Sequence, residues 1–460
     1  MVDIITIETT SLGDRSYLAT DGEVAVVVDP QRDIDRVLAL AETRGVRVTH
    51  VVETHIHNDY VTGGLELARQ TGAAYLVNAD DQVEFDRTPV RDGDVITVSD
   101  ALAVKVVATP GHTFTHLSYV LEHRGEPVAV FTGGSLLYGS TGRPDLLGQQ
   151  HAETLARHQY ASAHRLAHEL PTTTAVYPTH GFGSFCSATQ TEGDSSTIGA
   201  ERTKNPALTL DVDSFVEQTL AGLDRYPAYY AYMGPSNAAG PGPIDLTPPQ
   251  QADADELRRR IEAGEWVVDL RNRTAFAKGH LPGAFNFGLD GQFVTYLGWL
   301  IPWGTPVTLL GETADDVAAA QRDMVRIGID RPAAMATGKP EEWSGGGPLA
   351  SYATTDFTGL RHQLERHGDQ RIVVLDVRRD DEWRDEHLIG AVHVPLHDLL
   401  ARVDDVPPGQ IWIHCAGGYR ASVAASLLHA AGRDVVAIDD SFDKVREAGL
   451  QTVRAEAVAA

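Results

Sequence analysis

The chain has 460 residues, 42% of them hydrophobic and 22% charged, enough apolar side chains to fill about three cores of ordinary domain size. Its 64 acidic and 38 basic groups leave a net charge of -26, which repels phosphate backbones and anionic lipid and so excludes nucleic acid and membrane surfaces as partners. The only cysteines are Cys186 and Cys415, too few for a disulfide framework, and with no basic, apolar leader and no run of about 18 apolar residues a cytoplasmic protein is expected.

Residues 4–7, 16–19 and 23–29 read as short strands parted by Gly-Asp and Asp-Gly turns. Ile34, Val37, Leu38 and Ala41 recur at helical spacing as far as Gly45, which predicts a helix over 34–44. An apolar strand over 46–53 then delivers His55, His57 and Asp59 within five positions, ahead of a helix over 63–71. Three metal-ligating side chains on the loop that leaves a buried strand are a strong signal for a metal. Two more histidines follow Pro-containing turns, His112 in Pro110-Gly111-His112 and His180 in Pro178-Thr179-His180. A helix over 153–170 carries His158, His164 and His168, read as solvated or packed.

This succession of strands, helix, His-x-His-x-Asp loop and later histidines resembles the metallo-β-lactamase superfamily, an αββα sandwich with its ligands on loops along one edge. The segment 131–148 is similar to one branch, the persulfide dioxygenases, through Gly142-Arg143-Pro144-Asp145. That resemblance implies iron(II) bound by His55 and His112, with His57, Asp59 and His180 lining the site or joining the ligands. It also implies Arg143 near the substrate, where a guanidinium pairs with a carboxylate, and Cys186 as a thiol that accepts sulfur.

Two positions depart from the family. Gly134 stands where the branch has a metal-binding aspartate, so weak iron occupancy is expected unless water or Asp59 fills the place. Restoring the carboxylate with Gly134→Asp is expected to strengthen binding. Tyr60 stands where the hydrolases of the superfamily have a histidine for a second zinc, which disfavours a two-metal hydrolase.

Gly and Pro crowd 234–250 and predict a linker that ends a first domain over 1–245. An internal repeat follows: Asp269-Leu270-Arg271 with His280-Leu281-Pro282-Gly283-Ala284 recurs as Asp376-Val377-Arg378 with His387-Leu388-Ile389-Gly390-Ala391, at a constant offset. The unit resembles rhodanese, an α/β fold with a parallel sheet, and places domains at 250–347 and 355–455. In the second copy a strand over 410–414 runs into Cys415-Ala-Gly-Gly-Tyr-Arg420 and then a helix over 421–431. Backbone N–H groups at a helix mouth stabilise a thiolate and a bound anion, which marks Cys415 as nucleophile and Arg420 as its anion-binding partner. The first copy has no cysteine, and Tyr296, Trp299 and Trp303 are expected to pack against neighbouring elements.

Together the resemblances imply an α/β multidomain enzyme of sulfur metabolism. Its partners would be a low-molecular-weight thiol persulfide, sulfite and thiosulfate, with a homo-oligomeric state left open. Two other readings stand beside it: a hydrolase with one zinc held by His55, His57 and His112, and a metal-free scaffold next to a working sulfurtransferase.

Overall fold

Alternation along a strand decides which way each side chain faces. In the computed structural model, which describes residues 2–189, 191, 193–367 and 372–454, Val26 and Val28 enter one apolar core while Ala25 and Val27 enter another. Their strand belongs to a six-stranded sheet of β1 (Asp3–Thr9), β2 (Asp14–Thr20), β3 (Val24–Val28), β4 (Arg47–Val52), β5 (Ala74–Asn78) and β6 (Thr88–Val90), arranged in chain order. A second six-stranded sheet holds β7 (Val95–Thr97), β8 (Leu102–Ala108), β9 (Leu117–His123), β10 (Glu126–Gly133), β11 (Ala175–Pro178) and β12 (Ser196–Thr197), also in chain order.

The inner faces share a core of Tyr17, Val28 and Val52 with Val106, Tyr119 and Phe131. Helices Asp35–Arg44 and Gly64–Thr71 cover the outer face of the first sheet. Ala152–Glu169 and Val212–Ala221 cover that of the second. The result is the expected αββα sandwich. The first helix stops where the sequence predicts, at Gly45 in the left-handed conformation with φ +64°.

Strand direction places the site. β8 and β10 flank antiparallel β9, and β11 is parallel to β10, so the loops that follow β8, β10 and β11 leave the second sheet on the same side.

The predicted linker begins too early. Helix Tyr230–Ala239 runs through Gly234 and Pro235. An interior proline costs about 3 kcal/mol, and here the buried anchors Met233 and Asn237 hold the helix in spite of it.

The chain divides into two compact units, Met1–Asp245 with Met324–Ile329, and Leu246–Asp323 with Asp330–Ala460. The second unit has one sheet for each repeat. In the first, β13 (Trp266–Asp269), β14 (Phe285–Asn286), β15 (Val307–Gly311) and β16 (Ala334–Thr337) are parallel in the order β14-β13-β15-β16. In the second, β17 (Ala353–Thr355), β18 (Ile372–Asp376), β20 (Val392–His393), β21 (Gln410–His414) and β22 (Val435–Ile438) are parallel in the order β17-β22-β21-β18-β20. There β19 (His387–Leu388) pairs separately with β23 (Thr452–Val453). Among the described residues no helix is long and apolar enough to cross a membrane.

The repeated Asp-x-Arg is a buried clamp in both copies. Arg271 reaches Asp269 at 3.0 and 2.6 Å and the carbonyl of Gly279 at 2.9 Å. Arg378 reaches Asp376 at 3.0 and 2.7 Å and the carbonyl of Glu386 at 2.7 Å. The repeated histidines match as well: His280 stacks on Phe276 and donates to its carbonyl, and His387 does the same with Trp383. Removing one partner leaves the other charge buried and unpaired, so Asp376→Ala is expected to destabilise the second unit by about 3–5 kcal/mol. Urea unfolding of the full chain measures this as a lower midpoint for that unit.

Candidate metal centre and sulfur-transfer loop

The first site hangs from one loop fixed at both ends. Asp29 holds the near end: its carboxylate accepts from the Thr54 N–H at 2.7 Å, the Thr54 hydroxyl at 2.8 Å and the Thr179 hydroxyl. It sits at φ +49°, a conformation that aspartate tolerates better than most residues. Asn237 holds the far end, donating to the carbonyls of His57 and Tyr60, both at 2.8 Å, and accepting from the Thr62 N–H at 2.9 Å.

Between these anchors the imidazoles converge. The His55 ring lies 4.0 Å from that of His57, 4.8 Å from His112, 4.9 Å from His116 and 5.3 Å from His180. The His112 Nδ1 donates to the carbonyl of Arg143 at 2.8 Å, and its Nε2 is buried without a hydrogen-bond partner. Ligand atoms of His55, His112 and His180 lie within 4.8 Å of one another, as do those of His57, Asp59 and His180 and those of Asp29, Glu53 and His57. Clustered nitrogen donors and an orphaned buried Nε2 fit a metal ion. Burial, reinforced by neighbouring imidazoles, pushes His55 well down and His112 to about 3, so both are neutral. Burial would lower His180 too, but Asp59 and Asp14 outweigh it and lift that ring to about 10, a proton that a metal bound there would displace.

His57 differs. Burial would lower it, but Asp29 and Glu53 outweigh that and lift it to about 9. Its Nε2 lies 3.0 Å from the Tyr60 hydroxyl, 3.3 Å from Asp29 and 3.4 Å from Glu53, which leaves only Nδ1 to face Asp59, at 3.9 Å. Tyr60 is buried and stacked on His57, so the place where the hydrolases have a histidine is filled by a phenol already in use.

Gly134 is not a simple vacancy, and the geometry counts against the expected gain from Gly134→Asp. A Cβ at this position would lie 2.4 Å from Cδ2 and 2.6 Å from Cγ of His112, whose ring has the room. The Gly134 N–H donates to His116 Nε2 at 3.0 Å, which pins the backbone there. Gly134→Asp is therefore expected to lower stability by about 1–3 kcal/mol through overpacking, with no increase in bound metal. Thermal unfolding and metal analysis of that variant check both halves.

Arg143 and Cys186 are both buried. Arg143 is buried and clamps Asp145 at 2.7 and 2.8 Å, while its remaining donors hold the carbonyls of Phe185 and Asp224. It fastens the loop that carries Cys186, which leaves few of its donors for a substrate carboxylate. Cys186 is fully buried, and burial together with Asp59 and Asp14 pushes its thiol far up. A thiol held protonated is a poor nucleophile for accepting sulfur.

Sequence reasoning missed Asp29, His116 and Asn237. His116 lies four residues after His112 in the same motif, but nothing in the string distinguishes it from a packed histidine. Asp29 closes an unremarkable strand, and Asn237 was hidden in the expected linker.

The second site is the loop after β21. Cys415 is 2% exposed, and the Gly418 N–H donates to its Sγ at 3.1 Å, at the head of helix Tyr419–Ala430. Gly418 has φ +91°, and a Cβ there would lie 2.3 Å from Asp439, so the turn requires glycine. Arg420 is paired with Glu382 at 2.6 and 2.7 Å; burial would raise this glutamate, but the guanidinium outweighs it and holds the carboxyl below its usual range. β15 is the counterpart of β21 in the first copy and leads into Glu312 and Thr313, not cysteine.

The first copy instead braces the loop. The Tyr419 hydroxyl donates to the carbonyl of Gly288 at 3.0 Å, and Arg273 reaches Asp439 at 2.7 Å. Tyr296 packs 6.0 Å from Tyr419, and Trp299 stacks on His397 at 4.8 Å, so this aromatic group packs as expected, with Trp303 at its edge 36% exposed.

A four-layer sandwich with converging imidazoles, followed by two Asp-x-Arg sheets of which one carries a cysteine loop, defines a metallo-β-lactamase fold joined to tandem rhodanese-like modules. The comparisons agree: residues 13–180 match the Metallo-beta-lactamase superfamily, and 253–343 and 360–448 match the Rhodanese-like domain. Human "Persulfide dioxygenase ETHE1, mitochondrial" is 33% identical over 208 residues, covering 45% of this chain and 73% of that protein. A hydroxyacylglutathione hydrolase of Prochlorococcus marinus is 36% identical over 168 residues, covering 35% of this chain and 60% of that enzyme. The crystal structure of a metallo-beta-lactamase from Staphylococcus aureus superposes with a TM-score of 0.66 at 26% identity, covering 74% of this chain and 99% of that one. The chain belongs to the persulfide dioxygenase family of the metallo-beta-lactamase superfamily, and it carries two rhodanese-like domains in addition. Homology on both sides supports a role in sulfur metabolism.

Proposed function

We propose that the first unit oxidises the outer sulfur of a low-molecular-weight thiol persulfide to sulfite, and that Cys415 carries sulfane sulfur between donors and acceptors. The observation that carries the reading is the pairing, on one chain, of a buried imidazole cluster at a persulfide dioxygenase-like ligand loop with a cysteine whose sulfur faces a helix head. Iron(II), when bound, supplies the redox chemistry that uses dioxygen. His55 and His112 would hold it, because their lone pairs are neutral and buried. The balance is one persulfide, one O2 and one water giving one thiol and one sulfite with its two protons. Asp29 and Asn237 keep the ligand loop in place.

At the second site the Cys415 thiolate attacks the outer sulfur of thiosulfate. The S–S bond breaks, sulfite leaves with the electron pair, and Cys415 becomes a persulfide. The Gly418 N–H and the helix head stabilise the anion, and Arg420, whose charge Glu382 balances before a donor arrives, is the side chain on this loop that an anionic donor would engage. An acceptor thiolate or sulfite then takes the sulfane sulfur and restores the cysteine. Sulfite from one site is a substrate for the other, and carrying both on one chain raises its effective concentration. A two-metal hydrolase would lack two donors, since Tyr60 and Gly134 replace them, and the one-zinc hydrolase reading is weakened because His57 turns its Nε2 to Asp29, Glu53 and Tyr60. Oxygen uptake with glutathione persulfide and sulfur transfer from thiosulfate to cyanide test the two halves separately.

A further inference from the structure

We infer that the third protein ligand of this metal centre is His180, giving a site of three imidazoles, His55, His112 and His180, in place of two imidazoles and a carboxylate. The inference rests on the metal-centre half of the proposed function and not on persulfide being the substrate.

Hydrogen bonds settle which nitrogen of each ring is free. A backbone carbonyl can only accept, so the 2.8 Å contact of His112 Nδ1 with the Arg143 carbonyl puts the proton on Nδ1 and leaves Nε2 bare. His180 Nδ1 lies 3.0 Å from Asp14 and 3.1 Å from Asp59, two carboxylates that accept, so its Nε2 is the ligating atom. The Thr54 hydroxyl donates to Asp29 and accepts from His55 Nδ1 at 2.9 Å, which fixes that ring the same way. The Nε2 atoms of His55 and His180 lie 3.4 Å apart, and ligand atoms of all three rings lie within 4.8 Å of one another. Carboxylates behind a ligating imidazole orient it and raise its basicity, which is the arrangement behind His180.

The alternatives are filled or spoken for. Position 134 has no room for a Cβ while His112 sits where it does. His57 turns its Nε2 to Asp29, Glu53 and Tyr60. Asp59 spends Oδ2 on His180, and its Oδ1, buried without a hydrogen bond and 3.9 Å from His57 Nδ1, is the remaining competitor.

Cobalt(II) and iron(II) are titrated anaerobically into metal-free full-length protein against a chelator, for wild type, His180→Gln, His112→Gln, Asp59→Asn and His180→Ala. His180→Gln should weaken cobalt(II) by at least about 100-fold, as much as His112→Gln, whereas Asp59→Asn, which only positions His180, should cost about 10-fold. Added imidazole should restore cobalt(II) binding and its visible spectrum to His180→Ala, which a purely structural histidine would not do. X-ray absorption of the wild-type iron(II) protein should count three imidazoles and decides the matter if His180→Gln fails to fold. The inference is overturned by wild-type affinity in His180→Gln, by a count of two imidazoles, by a larger loss in Asp59→Asn than in His180→Gln, by His180→Ala that imidazole does not rescue, or by a wild type that binds neither metal. Tight three-imidazole iron without oxygen uptake would leave it standing and remove persulfide oxidation instead.

Discussion

Cys415→Ser is expected to abolish sulfur transfer from thiosulfate to cyanide, by at least about 10³-fold, the scale seen when a covalent nucleophile is lost. The hydroxyl cannot form the persulfide, while its size and the Gly418 contact are nearly preserved, so the fold is retained. Cys186→Ser is expected to keep most of the activity, because that thiol is buried and held protonated. The assay is cyanolysis of thiosulfate, read as thiocyanate formed, together with intact-mass analysis for one added sulfur after incubation with thiosulfate. Transfer by Cys415→Ser equal to wild type would remove the assignment.

His112→Ala carries the second large effect. This imidazole has a buried Nε2 without a hydrogen-bond partner and touches the backbone at Arg143, so its loss removes a proposed ligand and leaves a cavity against Gly134. Changes to residues behind the ligands already cost about 10–100-fold in metal affinity, and a direct ligand should cost more. Iron content of anaerobically purified protein is expected to fall to background, and persulfide-dependent oxygen uptake with it. Thiosulfate transfer should persist, because Cys415 lies in the other unit. Iron at the wild-type level in His112→Ala would exclude this residue from the centre.

What the sequence made legible were the features set by local spacing. His55, His57 and Asp59 follow an apolar strand, and Cys415 to Arg420 bridges a strand and a helix, so each could be placed before any tertiary contact was known. The two Asp-x-Arg clamps were legible because they repeat at a fixed offset with the same pattern around them. Residues whose role depends on distant partners were not. Asp29 acts through Thr54 and Thr179, and Asn237 through His57, Tyr60 and Thr62, across separations that no window of sequence reveals. Gly134 shows both sides of the limit: its departure from the family is visible in the string, but the His112 ring that now occupies the space is visible only in three dimensions. Arg143 has a partner that the motif did not suggest. A motif arginine invites a ligand, and here Asp145, two residues away, is the ligand.

The most direct measurement is oxygen uptake by iron-loaded protein with glutathione persulfide, with sulfite and glutathione quantified as they form. Persulfide, O2 and sulfite should change in equal amounts, with the reaction lost in His112→Ala and kept in Cys415→Ser. Iron-loaded wild type that transfers sulfur from thiosulfate yet consumes no oxygen and forms no sulfite with the persulfide would contradict the proposed oxidation.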